Sequence, residues 1–332
     1  MTQRKLADRS VAGIGLGCMN LSHAYGTPPD PADAKALLNA ALELGIDHFD
    51  TAALYGFGRN EELLGEVLHP FRQRFFLASK CGMTGVNGKR VIDGRPETLK
   101  QTCKDALRRL RTDVIDLYYL HRWDKKVPIE ESVGALGDLV REGHIREIGL
   151  SEVSAQTLRK AHAVHPVAAV QSEYSLWTRN PEIALLDACR ELGIALVAFS
   201  PLGRGFLANG IADPRDFVEK DIRRAMPRFN PPHFGRNRQL LDQFNRIAWE
   251  AGCTPAQLAL AWLLAKAPFV LPIVGTTSIA HLEEDVAASK VRVAADTLER
   301  LEKLINADTV SGPRYATETL AEIDTEATPN AG

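Results

Sequence analysis

Short apolar runs alternate with longer amphipathic stretches along most of the chain, and this alternation constrains the fold more than any other feature. The apolar runs lie at 13–17, 48–50, 75–80, 115–121, 145–151, 168–171, 195–200 and 270–273. Short length, apolar content and position between helices mark them as strands buried on both faces, as in parallel sheet. Helical patterns lie near 31–44, 60–68, 96–110, 130–141, 154–163, 181–192, 237–251 and 255–266. Pro31, Pro96 and Pro181 stand at helix starts and Asn60 precedes Glu61 and Glu62, while Gly45, Gly143, Gly193 and Gly252 stand at helix ends. Right-handed βαβ units repeated in this way predict a closed (β/α)8 TIM barrel. An open doubly wound sheet is the alternative, but nothing in the chain marks a reversal of strand order.

All 332 residues fit one barrel domain, with no composition break to suggest a second. Three additions are expected: an N-terminal β-hairpin over 1–12, a long loop rich in Pro, Gly and Arg over 201–236, and a polar tail over 308–332 whose last part is mobile. Extra C-terminal helices are expected as well. The formal net charge of −2 gives no reason to expect nucleic acid or an anionic membrane as partner. Five scattered cysteines without a Cys-x-x-Cys pair argue against a disulfide framework and against a metal site. No stretch has the ~18 apolar residues of a membrane span, and none reads as an export signal. A cytoplasmic location is therefore expected, and the oligomeric state is left open.

Gly13-Ile14-Gly15-Leu16-Gly17 invites a dinucleotide-loop reading, but its third glycine comes one residue early and no helix follows directly. It reads better as a first barrel strand of small residues. The segment Asp50-Thr51-Ala52-Ala53-Leu54-Tyr55-Gly56-Phe57-Gly58-Arg59-Asn60-Glu61 carries more chemistry. Asp50 ends one strand, Tyr55 follows on a glycine-rich loop, and the next two strands end in Lys80 and His121. Taken singly, each has an ordinary reading as a cap, a loop aromatic, a solvated strand end or a core histidine. Together they place an acid, a phenol, an amine and an imidazole at the strand ends where barrel active sites lie. A phenol titrates near ~10, and a neighbouring ammonium held by a carboxylate is expected to lower that value. Such a phenol suits protonation of an alkoxide formed when hydride reaches a carbonyl.

The DTAALYGFGRNE segment, the strand ending at Lys80 and the YYLH run ending at His121 resemble the aldo-keto reductases, over about 13–306 and in family order. The resemblance implies an NADPH-dependent reductase of small aldehydes or ketones, with Tyr55 as general acid, Asp50 and Lys80 tuning it and His121 orienting substrate. It further implies that Ser151 and Gln171 bind the nicotinamide carboxamide and that Phe199 stacks on the ring. Ser200, Leu202, Gly203, Arg204 and Gly205 are implied at the pyrophosphate, and Gly275, Thr276, Thr277, Ser278, His281, Glu284 and Asp285 at the adenosine. Many relatives carry Lys or Arg near that last segment for the 2′-phosphate, and this chain does not, so use of NADH is possible too. Met19, Asn20, Tyr25, Leu54 and Trp123 are expected around the substrate. A cofactor-binding regulatory subunit, or a lyase or hydrolase on the same barrel, are the alternative readings.

Overall fold

The computed structural model describes residues 2–86 and 89–327. Eight strands close into a barrel in sequential order: β1 (Gly15–Gly17), β2 (His48–Asp50), β3 (Phe76–Cys81), β4 (Ile115–Leu120), β5 (Ile145–Ser151), β6 (Val167–Glu173), β7 (Ala195–Phe199) and β8 (Val270–Val274). Every neighbouring pair is parallel, and the β8–β1 pairing of Val274 with Leu16 closes the ring. The expected barrel and its strand positions are found.

Side chains of alternate residues face the interior, and the inner core is made of Phe76 and Ala78, Leu117 and Tyr119, Ala169, Ala195 and Val197, and Leu271 and Ile273. The predicted hairpin is present as Gln3–Leu6 paired with Arg9–Ala12, and its Leu6 and Val11 join that core. Gly15 and Gly149 are small because rings press on them: a Cβ would come within 2.7 Å of His48 and 2.2 Å of Tyr119, respectively. The 13–17 glycines thus serve barrel packing. A second core lies between strands and helices, contributed by residues such as Leu37, Leu99, Leu136, Leu158 and Leu260.

The helices at His233–Glu250 and Pro255–Lys266 both precede β8, as expected, and the C-terminal helices are Ile279–Ala287, the eighth of the barrel, and Ala295–Leu304. Ile279–Ala287 escapes periodicity analysis because Leu282 and Asp285 are its buried residues, too few to make an apolar stripe. A second hairpin, Met83–Val86 with Lys89–Ile92, also extends the loop after β3. Its sequence signal is the Asn87-Gly88 pair between two strand-like runs, though those two residues lie outside the described structure.

The 201–236 loop is packed rather than open. Phe206 stacks on Trp177 with centroids 4.0 Å apart, and Phe229 meets Trp177 edge-on. The tail is also anchored as far as it is described. Tyr315 and Ile323 are buried, and Asp324 accepts hydrogen bonds from Ser154 and Thr157 at the start of the helix Ala155–Val164. The mobile end expected of the tail lies largely at 328–332, outside the described residues. Among the described residues, no helix is long and apolar enough to cross a membrane.

Candidate active site

The two-residue repeat that fills the barrel interior also builds the site. Continuing past the inner core, the inward series 76–78 reaches Lys80, 117–119 reaches His121, 169 reaches Gln171, 195–197 reaches Phe199 and 271–273 reaches Gly275. All belong to the C-terminal end of the barrel, where polar residues rest on an apolar floor.

Asp50, Tyr55, Lys80 and His121 come together there. The Lys80 ammonium is fully buried, donates to Asp50 Oδ1 and to the Thr51 carbonyl at 2.9 Å, and lies 3.1 Å from the Tyr55 hydroxyl. Gln171 Nε2 donates to the other Asp50 oxygen at 2.7 Å. The His121 ring meets Tyr55 edge-on at 5.8 Å, and its Nδ1 is buried without a hydrogen-bond partner. Tyr55 is aimed by its loop, where Gly56, Phe57 and Gly58 all take positive φ. Asn60 is more than a helix start: it accepts from Thr51 Oγ1 at 2.6 Å and donates to the Cys18 carbonyl at 2.8 Å, tying the loop to the strand end. Glu61 likewise is buried between Ser79 Oγ and Arg109.

Burial dominates the electrostatics. It works against the Lys80 charge, but Asp50 and Tyr55 outweigh it and hold Lys80 above its usual range. Burial raises the Tyr55 phenol, and the opposing pull of Lys80 does not overcome it. Lys80 thus pulls the phenol down as expected, but burial outweighs it, and Tyr55 carries its proton at neutral pH. Burial, with the nearby Arg122 and Lys80 charges, pushes His121 well below its usual range, so its imidazole is neutral. Burial raises the Cys81 thiol well above its ordinary value, which disfavours the reactive thiolate.

From these residues a cavity of about 950 Å³ runs across the mouth of the barrel, past Phe199, Leu202 and Gly205 to Gly275, Thr276, Thr277, His281, Glu284 and Asp285. Its size and lining fit a dinucleotide with a small substrate. The start of the helix Ile279–Ala287 adjoins one part of it, and Tyr55 and His121 line another. Asp285 is pushed up to about 7 by burial and by Glu284 beside it. Ser151, Gln171, Ser200, Arg204, Met19, Asn20, Tyr25 and Leu54 line the same cavity.

Three expected residues stand elsewhere. Gly203 is buried against Trp177, where a Cβ would come within 2.9 Å of the indole. Ser278 spends its hydroxyl capping its helix at the His281 N–H. Trp123 lies outside the cavity because its indole N–H donates to the Val127 carbonyl at 2.8 Å.

Arg204 reaches the cavity but is not a free cation. Its guanidinium pairs with Glu173 at 2.7 Å and donates to the hydroxyls of Tyr25 and Tyr315, each at 2.7 Å. Arg314 of the tail bonds Glu152 Oε2 at 2.7 Å and lies 3.5 Å from Glu173, all nearly fully buried. Arg228 donates to Thr178 Oγ1 at 2.9 Å and to the Gly312 carbonyl at 3.0 Å. This cluster joins β6, the first loop, the 201–236 loop and the tail. Burial works against the Glu173 charge, yet Arg204 and Arg314 hold its carboxyl down at about 2 from an ordinary 4.5. Glu173 thus contributes stability that is full above about pH 4.5 and lost as pH falls towards 2. Urea midpoints measured across that window should show the advantage of the parent over Glu173→Gln shrinking with acid.

Sequence reasoning passed over His23, Arg90, Arg122, Tyr315 and Glu322, all of which line the cavity. Arg122 had a signal, since it directly follows His121 at a strand end. Arg90 sits on the second strand of the hairpin after β3, and His23, Tyr315 and Glu322 sit on loops, so their placement depends on tertiary packing.

The chain matches the model of the aldo/keto reductase family over residues 13–306. Among solved structures, it is similar to the glycerol dehydrogenase of Gluconobacter oxydans, with 27% identity, TM-score 0.85, and coverage of 95% of this chain and 98% of that one. An aldo-keto reductase of Bacillus halodurans in its holo form aligns at 30% identity over 92% of this chain and 97% of that one, TM-score 0.77. An aldo/keto reductase of Klebsiella pneumoniae, solved with NADP and acetate, aligns at 25% identity over 98% and 99%, TM-score 0.72. The chain belongs to the aldo/keto reductase family, oxidoreductases that use nicotinamide cofactors on small carbonyl compounds.

Proposed function

We propose that the protein reduces an aldehyde or ketone to the alcohol, reversibly, with Tyr55 as proton donor and NADPH as hydride donor. The buried contact between Lys80 and the Tyr55 hydroxyl, inside a cavity that fits a dinucleotide, carries this reading. Tyr55 gives its proton to the carbonyl oxygen as negative charge develops there. The Lys80 ammonium stabilises the resulting phenolate, Asp50 fixes the ammonium, and Gln171 fixes Asp50. His121, held neutral, offers an N–H that orients the same oxygen. The nicotinamide, when bound, supplies the hydride.

Residues of this chain would hold the cofactor as follows. Ser151 and the Gln171 side-chain oxygen would bind the carboxamide, and Phe199 would meet the ring face. Ser200, Leu202 and Gly205 would bind the pyrophosphate through backbone. Gly275, Thr276, Thr277, His281, Glu284 and Asp285 would hold the adenosine. NADP in the Klebsiella pneumoniae relative supports this choice of cofactor.

The segment 275–285 contains no Lys or Arg that could pair with a 2′-phosphate. Lacking that charge-assisted bond, worth ~1.5–3 kcal/mol, the protein should oxidise NADH as well, with kcat/KM within about tenfold of NADPH. Steady-state oxidation of both cofactors against aldehydes, ketones, quinones and sugars tests the proposal. A protein that binds NADPH yet reduces no member of the panel would sink it.

A further inference from the structure

The substrate end of the cavity holds a cation that the proposed chemistry does not use. Arg122 directly follows His121, is half-buried and lines the cavity. One of its nitrogens donates to the His121 carbonyl at 2.6 Å and to Ser151 Oγ at 3.2 Å, both neutral acceptors. Among the described residues it makes no ion pair. The other arginines lining the cavity each have a carboxylate: Glu322 for Arg90, Glu173 for Arg204 and Asp221 for Arg223. The acid nearest in sequence, Asp124, spends both oxygens on the backbone N–H groups of Gly94, Lys126 and Val127.

A half-buried arginine without a counter-charge, and anchored by one nitrogen only, leaves the rest of its donor fork for a planar oxyanion. Arg90 lines the same cavity from the hairpin after β3. One of its nitrogens donates to both Glu322 oxygens, at 2.6 and 2.5 Å, and the two side chains are 43% and 29% exposed. A pair so exposed is weak, and Arg90 is free to exchange Glu322 for an incoming anion. Arg90, Arg122 and His121 line the same cavity, and Arg122 is bonded to the His121 backbone, beside the imidazole proposed to orient the carbonyl.

We propose that the substrate is a carbonyl compound bearing an oxyanion, and that Arg122, joined by Arg90, binds that group at the cavity mouth. The inference rests on the reductase reading and narrows its substrate class. Recognition is through charge-assisted hydrogen bonds, which carboxylate and phosphate both satisfy.

The test compares kcat/KM for matched pairs: para-carboxybenzaldehyde with its methyl ester, succinic semialdehyde with butanal, and glyceraldehyde phosphate with glyceraldehyde. The first two report carboxylate and the third phosphate. The anionic member of at least one pair should be preferred by about tenfold or more, and added salt should reduce the preference. Arg122→Gln should bring that ratio close to one, Arg122→Lys should restore part of it, and Arg90→Gln should lower it less. A purely structural role would depress both members of a pair alike and leave their ratio unchanged. Turnover of neutral carbonyls with no anion preference, or a preference that survives Arg122→Gln, overturns the inference and leaves the reductase reading standing. If no carbonyl is turned over, the reductase reading fails. Calorimetry of para-hydroxymethylbenzoate against benzyl alcohol on the NADPH-loaded protein then decides anion binding. Equal affinities overturn it, and tighter binding of the anion that is lost in Arg122→Gln supports it.

Discussion

Tyr55→Phe should lower kcat for carbonyl reduction by about 10²–10⁴-fold, the range of a lost general acid, while NADPH binding stays near the parent value. The substitution removes one oxygen and keeps the ring. Lys80 retains Asp50 and the Thr51 carbonyl as partners, so the buried ammonium is not left unpaired. The cofactor-facing residues proposed above are untouched. Single-turnover absorbance at the reduced nicotinamide gives the rate, and fluorescence titration gives the binding. Retained turnover in this variant removes Tyr55 from the proton-donor role.

The second large effect concerns stability. Arg314→Met should destabilise the fold by about 3–5 kcal/mol, the usual result of removing one partner of a buried pair. Glu152 would lose a bidentate partner and Glu173 one of its two arginines, both inside a nearly dry cluster. Thr325 would also lose its bond to Arg314, which loosens the tail. Tyr315, Thr319 and Glu322 line the cavity, so kinetics should change together with stability. Urea denaturation measures the first effect, and limited proteolysis within 308–327 the second. A loss below about 1 kcal/mol with an intact tail would show that the aromatic packing around Trp177, rather than the ion cluster, holds this side of the barrel.

The barrel and the four central residues were readable from the sequence for one physical reason. Parallel strands buried on both faces appear as apolar runs, and a polar residue that ends such a run must face the barrel mouth. Asp50, Lys80 and His121 have that signature, and Tyr55 follows Asp50 on a loop short enough to keep it close. The helix Ile279–Ala287 lacked a comparable signal because it buries little. The partners of Arg204 were hidden for a related reason. An arginine in a glycine-rich loop reads as a phosphate ligand, and its bonds to Glu173, Tyr25 and Tyr315 are not legible because those three are far apart in sequence. Trp123 and Ser278 likewise lie beside expected positions but use their hydrogen bonds locally. For Tyr55 the downward pull of Lys80 was foreseeable, and the depth of burial that outweighs it was not.

The central claim is that hydride passes from a nicotinamide to a carbonyl carbon in this cavity while Tyr55 supplies the proton. The most direct measurement loads the protein with reduced cofactor deuterated at its transferable position, adds an aldehyde, and follows the alcohol by NMR. The account predicts one deuterium on the carbinol carbon, transferred by the parent protein and lost with Tyr55→Phe. An alcohol formed without deuterium, or no alcohol from any aldehyde that binds, would contradict it.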